Sequence, residues 1–328
     1  MTPSSDLGIF DRSNLVAWCI VPYDSRERGP VERAQMLTDL GLRRLAWDWR
    51  PHHVPQLGAE LDALAEHGIE LTAVWLPAFL PADDGAWGRL DPHVQRILDA
   101  LGERGVRTQL WTCTELGPPG PFVPLPAAEH EAMVRRTADH LVPLAERAAA
   151  GGHTIGLYTH LGWAGEPENL RAVADELAAR GFARPGLVYF QHHGHAHLDR
   201  FAPMLAGMRD DLLAFGLNGM LPGAHWGDGK VHPYGHGPRD VELARALVAS
   251  GWRGPVGIIG HTMDDVEHRL RDNLEGLDWV VAQLRAEAAA AAPAAAAPTA
   301  PVRTAPGSTA TVLPAPPPAR IPRPRWPH

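Results

Sequence analysis

The chain has 328 residues, of which 45% are hydrophobic and 21% are charged, a composition typical of a folded protein with a large core. Its formal net charge of -8 disfavours polyanionic partners, so we expect neither nucleic acid nor a membrane surface as a partner. Two cysteines are too few for a disulfide framework or a Cys-rich zinc module, and they fit a reducing, cytoplasmic location.

The N-terminal segment MTPSSDLGIFDRSN has no basic stretch followed by an apolar run, and no run of about 20 apolar residues occurs along the chain. We therefore predict neither secretion nor a membrane span. Residues 1–13 are predicted to be an N-terminal extension that precedes the folded domain.

Short apolar runs alternate with longer amphipathic segments from residue 14 onward, which is the rhythm of a β/α protein. The predicted strands are LVAWCIVPYD (15–24), RLAWDWR (44–50), IELTAVWLP (69–77), VRTQLWTC (106–113), TIGLYTH (154–160), GLVYFQH (186–192), LLAFGLN (212–218) and PVGIIGH (255–261). Several of the predicted helices between them end on Gly, as PVERAQMLTDLG and LGAELDALAEHG do.

Eight strands that alternate with helices over residues 14–286 predict one α/β domain, a closed parallel (β/α)₈ TIM barrel. An open doubly wound sheet is the alternative, but it ordinarily carries a Gly-rich phosphate turn after its first strand, and VPYDSRERGP is not such a turn. We accordingly expect no nucleotide cofactor. Residues 287–328, rich in Ala and Pro, are predicted to be a disordered tail, with a docking peptide at Arg320 to Trp326 as the alternative.

The active site of a TIM barrel lies at the carboxyl ends of its strands, and polar residues follow most of the predicted strands here. These residues include Tyr23, Asp48, Arg50, Glu115, His160, His192, His193, His195, Asn218 and His261. Asp48 and Arg50 lie two positions apart, so on a strand they face the same side, as an ion pair or as substrate ligands.

The stretch FQHHGHAH (190–197) places four histidines after the sixth predicted strand. Imidazole is a common ligand of Zn, Mn, Fe or Ni, and it titrates near neutral pH, so the stretch predicts a metal site or an acid/base site. The alternative is that these rings bond only to backbone or water. The turn at Gly194 leaves open whether His195 and His197 face the same side.

A long Gly-rich loop, GMLPGAHWGDGKVHPYGHGPRD (219–240), follows the seventh strand and contains Lys230, the only lysine among 30 basic residues. Lys230 is predicted either to hold a phosphate, carboxylate or sugar hydroxyl or to be exposed to solvent. In HTMDD, after the eighth strand, Thr262, Asp264 and Asp265 are predicted helix-capping residues, and His261 is the better site candidate.

Several segments together resemble the sugar phosphate isomerase/epimerase family, whose members have a xylose-isomerase-like TIM barrel. They are LYTHLGWAGEPENL, GLVYFQHHGHAHLDRFAPML, LNGM, GKVHPYGHG and GWRGPVGIIGHTMDDVEHRLRDNLEGLDWVV, and the resemblance extends over about residues 14–284, to a branch distinct from the better-known ones. It implies a carbohydrate-like small-molecule substrate, and it is compatible with a homo-oligomer.

In the better-known branches of that family, two Glu, an Asp and a His hold one divalent metal, and the two Glu exchange a proton beside a carbonyl. Carried over by position, these ligands fall near Tyr158 to His160, at Gln191 or His192, near Gly216 and near Gly260, so the carboxylates are missing. A further His, which touches substrate or metal in the family, is matched by His195.

Two interpretations of this loss stay open. In the first, His160, His192, His195 and His261 surround a divalent metal, with Zn, Fe or Ni favoured over Mg and with Mn and Co as further candidates. In the second, no metal is bound, and the histidines with Asn218 and Glu166 hold a polyol or keto-sugar by hydrogen bonds.

The resulting hypothesis is a sugar or sugar-phosphate isomerase or epimerase that transfers a proton next to a carbonyl. His195, Glu166 and His261 are the predicted catalytic residues, and the predicted substrate ligands are Asp48, Arg50, Trp163, Asn218 and Lys230. The alternatives are a lyase or dehydratase on the same barrel, a non-catalytic carbohydrate-binding barrel that has lost the Glu pair, and a phosphodiester-cleaving enzyme, which the acidic net charge disfavours.

Overall fold

The structure, a computed structural model, describes residues 7–81, 87–115, 117, 121–227, 229–291 and 315–325. These residues form eight strands: β1 (Leu15–Trp18), β2 (Arg44–Trp47), β3 (Glu70–Pro77), β4 (Gln109–Cys113), β5 (Thr154–Tyr158), β6 (Gly186–Phe190), β7 (Leu212–Leu217) and β8 (Val256–Ile259). The α-helices are α1 (Pro30–Asp39), α2 (Leu57–Glu66), α3 (Pro92–Glu103), α4 (Ala127–Gly151), α5 (Pro167–Ala179), α6 (Phe201–Met208), α7 (Asp240–Ala249) and α8 (Val266–Ala291).

The strands form one closed barrel in chain order, and every neighbouring pair is parallel. The first and last strands complete it, with Leu15 opposite Val256 and Trp18 opposite Ile259. The predicted TIM barrel is therefore confirmed. The observed strands stop before the polar residues of the predicted ones, because those residues begin the loops at the carboxyl end.

Large aromatic side chains fill the barrel interior near that end. The ring centroids of Trp18 and Trp111 are 5.1 Å apart, and those of Trp111 and Phe190 are 5.5 Å apart. Phe190 packs over the backbone of β7 so closely that a Cβ at Gly216 would lie 1.7 Å from its Cδ1 atom. Glycine at 216 is thus required by the aromatic ring beside it.

A second apolar layer lies between the barrel and the helices, and α3 illustrates why the helices form. Val94, Ile97, Leu98 and Leu101 are buried at a spacing of three and four residues, so one stripe of the helix faces the sheet. Asp91 caps the helix by accepting a hydrogen bond from the backbone N–H of His93 at 2.7 Å. Truncating the fully buried Ile97 to Ala removes packing worth about 2–5 kcal/mol.

Segments at both ends of the described chain pack on the barrel. In the predicted N-terminal extension, Ile9 and Phe10 are buried. Of the predicted tail, residues 292–314 and 326–328 lie outside the described residues, whereas α8 continues to Ala291 and residues 315–325 contact the barrel. Arg320 Nη1 donates to Asp272 at 3.0 Å, and Arg325 Nε donates to Asp264 at 2.8 Å.

Among the helices that the structure describes, none combines the length and the apolar character needed to cross a lipid bilayer.

Candidate active site

A cavity of about 1320 Å³ opens at the carboxyl end of the barrel, and we call it the mouth cavity. Its polar lining includes Asp48, Arg50, His160, His192, His193, Lys230 and His261. Its aromatic lining includes Trp18, Trp49, Trp75, Phe79 and Trp226. A concave apolar site with a few converging polar groups is the usual form of a small-molecule site.

The four histidines of FQHHGHAH divide between three environments. β6 ends at Phe190, and a 3-10 turn over Gln191–His193 follows it, so His192 and His193 both face the mouth cavity. Their ring centroids are 3.8 Å apart, and that of His193 is 3.9 Å from the ring of His160 on the β5 side. His195 and His197 turn away from the cavity lining.

His192 is buried, and neither of its ring nitrogens has a hydrogen-bond partner in the described structure. Buried polar groups without partners are rare in folded proteins, and they call for an explanation such as a ligand that supplies the partner. Burial lowers the pKa of His192 well below its usual value, and the nearby His261 and Lys230 lower it further. The ring is therefore neutral at pH 7, with one nitrogen that donates and one that accepts.

His261 is held in a strained backbone conformation beside the cavity. Its φ is +30°, and Cys19, whose carbonyl accepts a hydrogen bond from the His261 backbone N–H at 3.0 Å, has φ +52°. Non-glycine residues in this region cost about 1–3 kcal/mol and cluster at functional sites. The His261 ring lies 4.4 Å from the ring of Tyr23 and 5.2 Å from that of His192, so it joins the β1 side to the β6 side.

Lys230 reaches the cavity because two buried side chains fix its backbone. A short antiparallel bridge between Gly219 and His232 folds the β7–α7 loop back on itself. The Lys230 carbonyl then lies 3.0 Å from His195 Nε2 and 3.3 Å from Asn218 Nδ2. His195 and Asn218 thus position Lys230, although neither of them lines the cavity.

The Lys230 side chain is 1% exposed, and its Nζ lies 3.4 Å from His193 Nδ1 and 4.6 Å from the centroid of the Trp226 ring. Burial lowers the pKa of this amine to about 7. Burial likewise lowers the pKa of His193 well below its usual value, and the neighbouring His160 and His192 add to the effect. An amine and an imidazole that can both be neutral near pH 7 therefore lie side by side.

Asp48 is the buried carboxylate of the cavity. Its Oδ1 accepts a hydrogen bond from the Val21 backbone N–H at 3.3 Å, and its Oδ2 has no partner in the described structure. Burial raises the pKa of Asp48 to about 6. The described residues include no ion pair between Asp48 and Arg50, because Arg50 donates instead to the Tyr23 hydroxyl and to the Trp49 carbonyl.

Trp163 and Glu166, like His195 and Asn218, are predicted site residues that lie away from the mouth cavity. Trp163 is buried in the 3-10 turn that follows β5, where its Nε1 donates to His130 Nδ1 at 3.3 Å. Glu166 lines a separate cavity of about 620 Å³, which we call the side cavity, and pairs there with His197 at 3.3 Å and with Arg200. Burial raises the pKa of Glu166, but His197 and Arg200 outweigh it and hold that pKa below its usual value.

The mouth cavity does not fit the divalent metal that the family resemblance implies. A side chain at Gly216 is excluded by Phe190, and a Cβ at Gly260 would lie 2.4 Å from the carbonyl oxygen of Cys19. The rings of His160, His192 and His193 pack against one another and do not converge on one point. In the described ranges, no three His, Cys, Asp or Glu side chains are placed to hold an ion, so we assign no step to a metal.

His193 and Tyr23 follow predicted strands but are not among the predicted site residues, although both line the mouth cavity. Side chains alternate along a strand, so a strand that points His192 inward would point His193 outward, and only the turn after Phe190 brings both inward. Trp75 in the third strand and Trp226 in the long loop also line the cavity without having been predicted.

The chain is similar to solved structures of known proteins. No family model and no curated protein matches the sequence. Among solved structures, the apo form of 3-keto-D-glucoside 4-epimerase YcjR from E. coli is 18% identical with a TM-score of 0.56, covering 82% of this chain and 99% of that one. The IolI protein with a bound zinc atom is 13% identical with a TM-score of 0.57, covering 82% and 98%.

D-psicose 3-epimerase from Clostridium cellulolyticum H10, solved with D-tagatose, is 14% identical with a TM-score of 0.53, covering 82% of this chain and 98% of that one. At these identities the matches show the fold alone. The chain has the xylose-isomerase-like TIM barrel fold that the sequence resemblance implies.

Proposed function

We propose that the chain is a carbohydrate isomerase or epimerase that moves a proton at the carbon next to a sugar carbonyl. The observation that carries this proposal is the polar lining of the mouth cavity, where neutral imidazoles and the buried carboxylate of Asp48 face one space. General acid/base catalysis needs groups whose pKa lies near the working pH and whose atoms are available to the substrate. Asp48 combines an oxygen without a partner with a pKa raised to about 6, and His192 supplies a neutral ring whose two nitrogens have no partner in the described structure.

In this mechanism Asp48, ionised above pH 6, takes the proton from the carbon beside the carbonyl and leaves an enediolate. The cationic Arg50, which also lines the cavity, stabilises the developing negative charge. His192 donates the N–H of its neutral ring to the enediolate oxygen that forms from the carbonyl. Return of the proton to the same carbon from the other face gives an epimer, and return to the neighbouring carbon gives an isomer.

The aromatic lining of the cavity supports a carbohydrate-like substrate. Trp75 and Phe79 meet edge to face at 6.2 Å, and the ring of Trp49 lies 5.8 Å from that of His93. Aromatic rings cover the apolar faces of a ligand while polar groups order its hydroxyls. Two structural neighbours, 3-keto-D-glucoside 4-epimerase and D-psicose 3-epimerase, support this substrate class.

The test is solvent deuterium incorporation, followed by NMR, for D-fructose, D-tagatose, D-psicose and a 3-keto-glucoside. We expect one carbon-bound proton beside the carbonyl to exchange in at least one sugar, with the epimer or isomer formed. A His197→Ala variant is the matched control, since His197 belongs to the same motif but lies outside the mouth cavity. Absence of exchange throughout the panel would overturn the proposal, and an eliminated product would reassign the reaction to a lyase.

A further inference from the structure

The only lysine of the chain lies in the mouth cavity, where the acid/base groups need a partner that activates the carbonyl. All other basic residues of the sequence are arginines. Arginine stays charged and is not a nucleophile at neutral pH, whereas a buried lysine can present a neutral amine. A chain that otherwise uses arginine at every basic position therefore has one side-chain amine, and the fold puts it at the site.

The position of this amine is determined by the structure around it. His195 and Asn218 hold the Lys230 carbonyl, so the side chain leaves a fixed backbone and points into the cavity. At its tip, Nζ lies 3.4 Å from His193 Nδ1, a distance over which a proton passes after small adjustment. The face of Trp226 lies 4.6 Å from the same nitrogen and can cover a cation there.

We propose that Lys230 is a catalytic residue that forms a covalent imine with the carbonyl of the sugar. This inference rests on the proposed function, because it names the way in which that site activates its substrate. The iminium nitrogen, bonded to the former carbonyl carbon, supplies the positive charge that a metal would otherwise supply, and the cavity does not fit a metal.

The amine lone pair attacks the carbonyl carbon, a C–N bond forms, and the C=O π electrons move to oxygen. His193 carries a proton from nitrogen to that oxygen, a second proton is taken up, and the C–O bond breaks with release of water, which leaves an iminium ion. A base then takes the proton from the adjacent carbon, and the C–H electrons form a C=C bond while the iminium π electrons return to nitrogen. Protonation of the same adjacent carbon restores the iminium ion, and addition of water with loss of a proton then reverses the first steps and releases the sugar and the amine.

Burial supports this role, since an amine whose pKa is about 7 is roughly half neutral at pH 7, whereas an exposed lysine is almost fully protonated. The groups that face it are His193, His192, His261 and Cys19, and none of the three imidazoles is charged at that pH.

The experiment is reduction with sodium borohydride during incubation of the full chain with D-fructose, D-tagatose, D-psicose or a 3-keto-glucoside, with deuterium exchange measured in parallel. We expect the wild type to gain the mass of the sugar less one oxygen atom. Trypsin should then fail to cut after residue 230, because the alkylated amine is no longer recognised. Arg209→Lys, on an exposed side chain, adds a surface lysine as the control for non-specific glycation, and it should stay unmodified under the same conditions.

Lys230→Arg keeps the positive charge and removes the nucleophile, so we expect its exchange rate to fall at least about 100-fold. Exchange in the wild type without an adduct on Lys230, or exchange in Lys230→Arg near the wild-type rate, would overturn the imine and leave the isomerase or epimerase proposal standing. Absence of both exchange and adduct with every sugar would overturn the two proposals together. The trapping measurement is made on the wild type, so it does not depend on the folding of a variant.

Discussion

The two cavities at the carboxyl end of the barrel differ in what their charged groups contact. In the side cavity, Glu166 is paired with His197 and Arg200, and Arg200 also reaches Glu168 at 3.1 Å. In the mouth cavity, His192 and one oxygen of Asp48 have no partner in the described structure. The comparison teaches that nearness to a strand end does not make a residue catalytic. A carboxylate engaged by an ion pair holds loops together, whereas a buried polar atom without a partner is available to a ligand.

The largest effect that separates the two cavities is expected for His192→Ala. Loss of an acid/base group lowers a rate by about 10²–10⁴-fold, so deuterium exchange into the sugar should fall by that factor. Removing a buried polar ring that has no hydrogen-bond partner in the described structure offsets the packing lost with it, so the midpoint of thermal unfolding should change little. NMR measures the deuterium exchange, and circular dichroism measures the thermal unfolding. An exchange rate of His192→Ala within a few-fold of the wild type would mean that the mouth cavity is no more important for the reaction than the side cavity.

Asp48→Asn is expected to lower exchange by about 100-fold or more and to raise stability. Folding raises the pKa of Asp48 from 3.8 to about 6. The stability that goes with the protonated carboxyl is therefore fully present below pH 3.8 and is lost as the pH rises through 6. At 1.36 kcal/mol per pH unit, the variant should gain up to about 3 kcal/mol over the wild type at pH 8 and almost nothing at pH 4.

Urea unfolding of both proteins across this pH range measures that difference. A constant difference from pH 4 to pH 8 would contradict the buried, uncompensated charge that we assign to Asp48.

The smallest effect on activity is expected for Glu166→Gln in the side cavity. Exchange should stay within about three-fold of the wild type, while stability at pH 7 should fall by about 1 kcal/mol, a modest value because Arg200 is 40% exposed. The folded pKa of Glu166 is lowered, so this stabilisation is present above pH 4.5 and is lost as the pH falls through the folded value. A large loss of exchange with intact folding would instead assign Glu166 to the reaction.

The fold could be predicted from the sequence because its signals are local. Each parallel strand is an apolar run buried on both faces, and several helices end near a glycine with positive φ, such as Gly41 and Gly68. All eight predicted strands have a counterpart in the structure. Residues that follow the strands of a parallel barrel all lie at its carboxyl end, so their place in the sequence predicts where they meet. Six of the predicted site residues line the mouth cavity there: Asp48, Arg50, His160, His192, Lys230 and His261.

Side-chain direction and long-range pairing could not be predicted in this way. His195 follows the same strand as His192, but a turn at 191–193 and a second one after it direct its ring to a loop carbonyl. Glu166 is paired with Arg200, 34 positions away, and no local pattern encodes that contact. Residues 315–325 contact the barrel through Arg320 and Arg325, whose partners Asp272 and Asp264 lie 48 and 61 positions away in sequence.

The contact between Tyr23 and His261 also bears on how the protein is made. These residues follow the first and the last strand, which pair with each other only when the barrel closes. During synthesis β1 emerges early and keeps an unpaired edge until β8 has left the ribosome, so the nascent chain exposes an aggregation-prone strand for most of translation. Closure ends that exposure and brings Tyr23 and His261 of the mouth cavity together in the same step. A chain interrupted before Val256 should therefore be a chaperone client without partial activity.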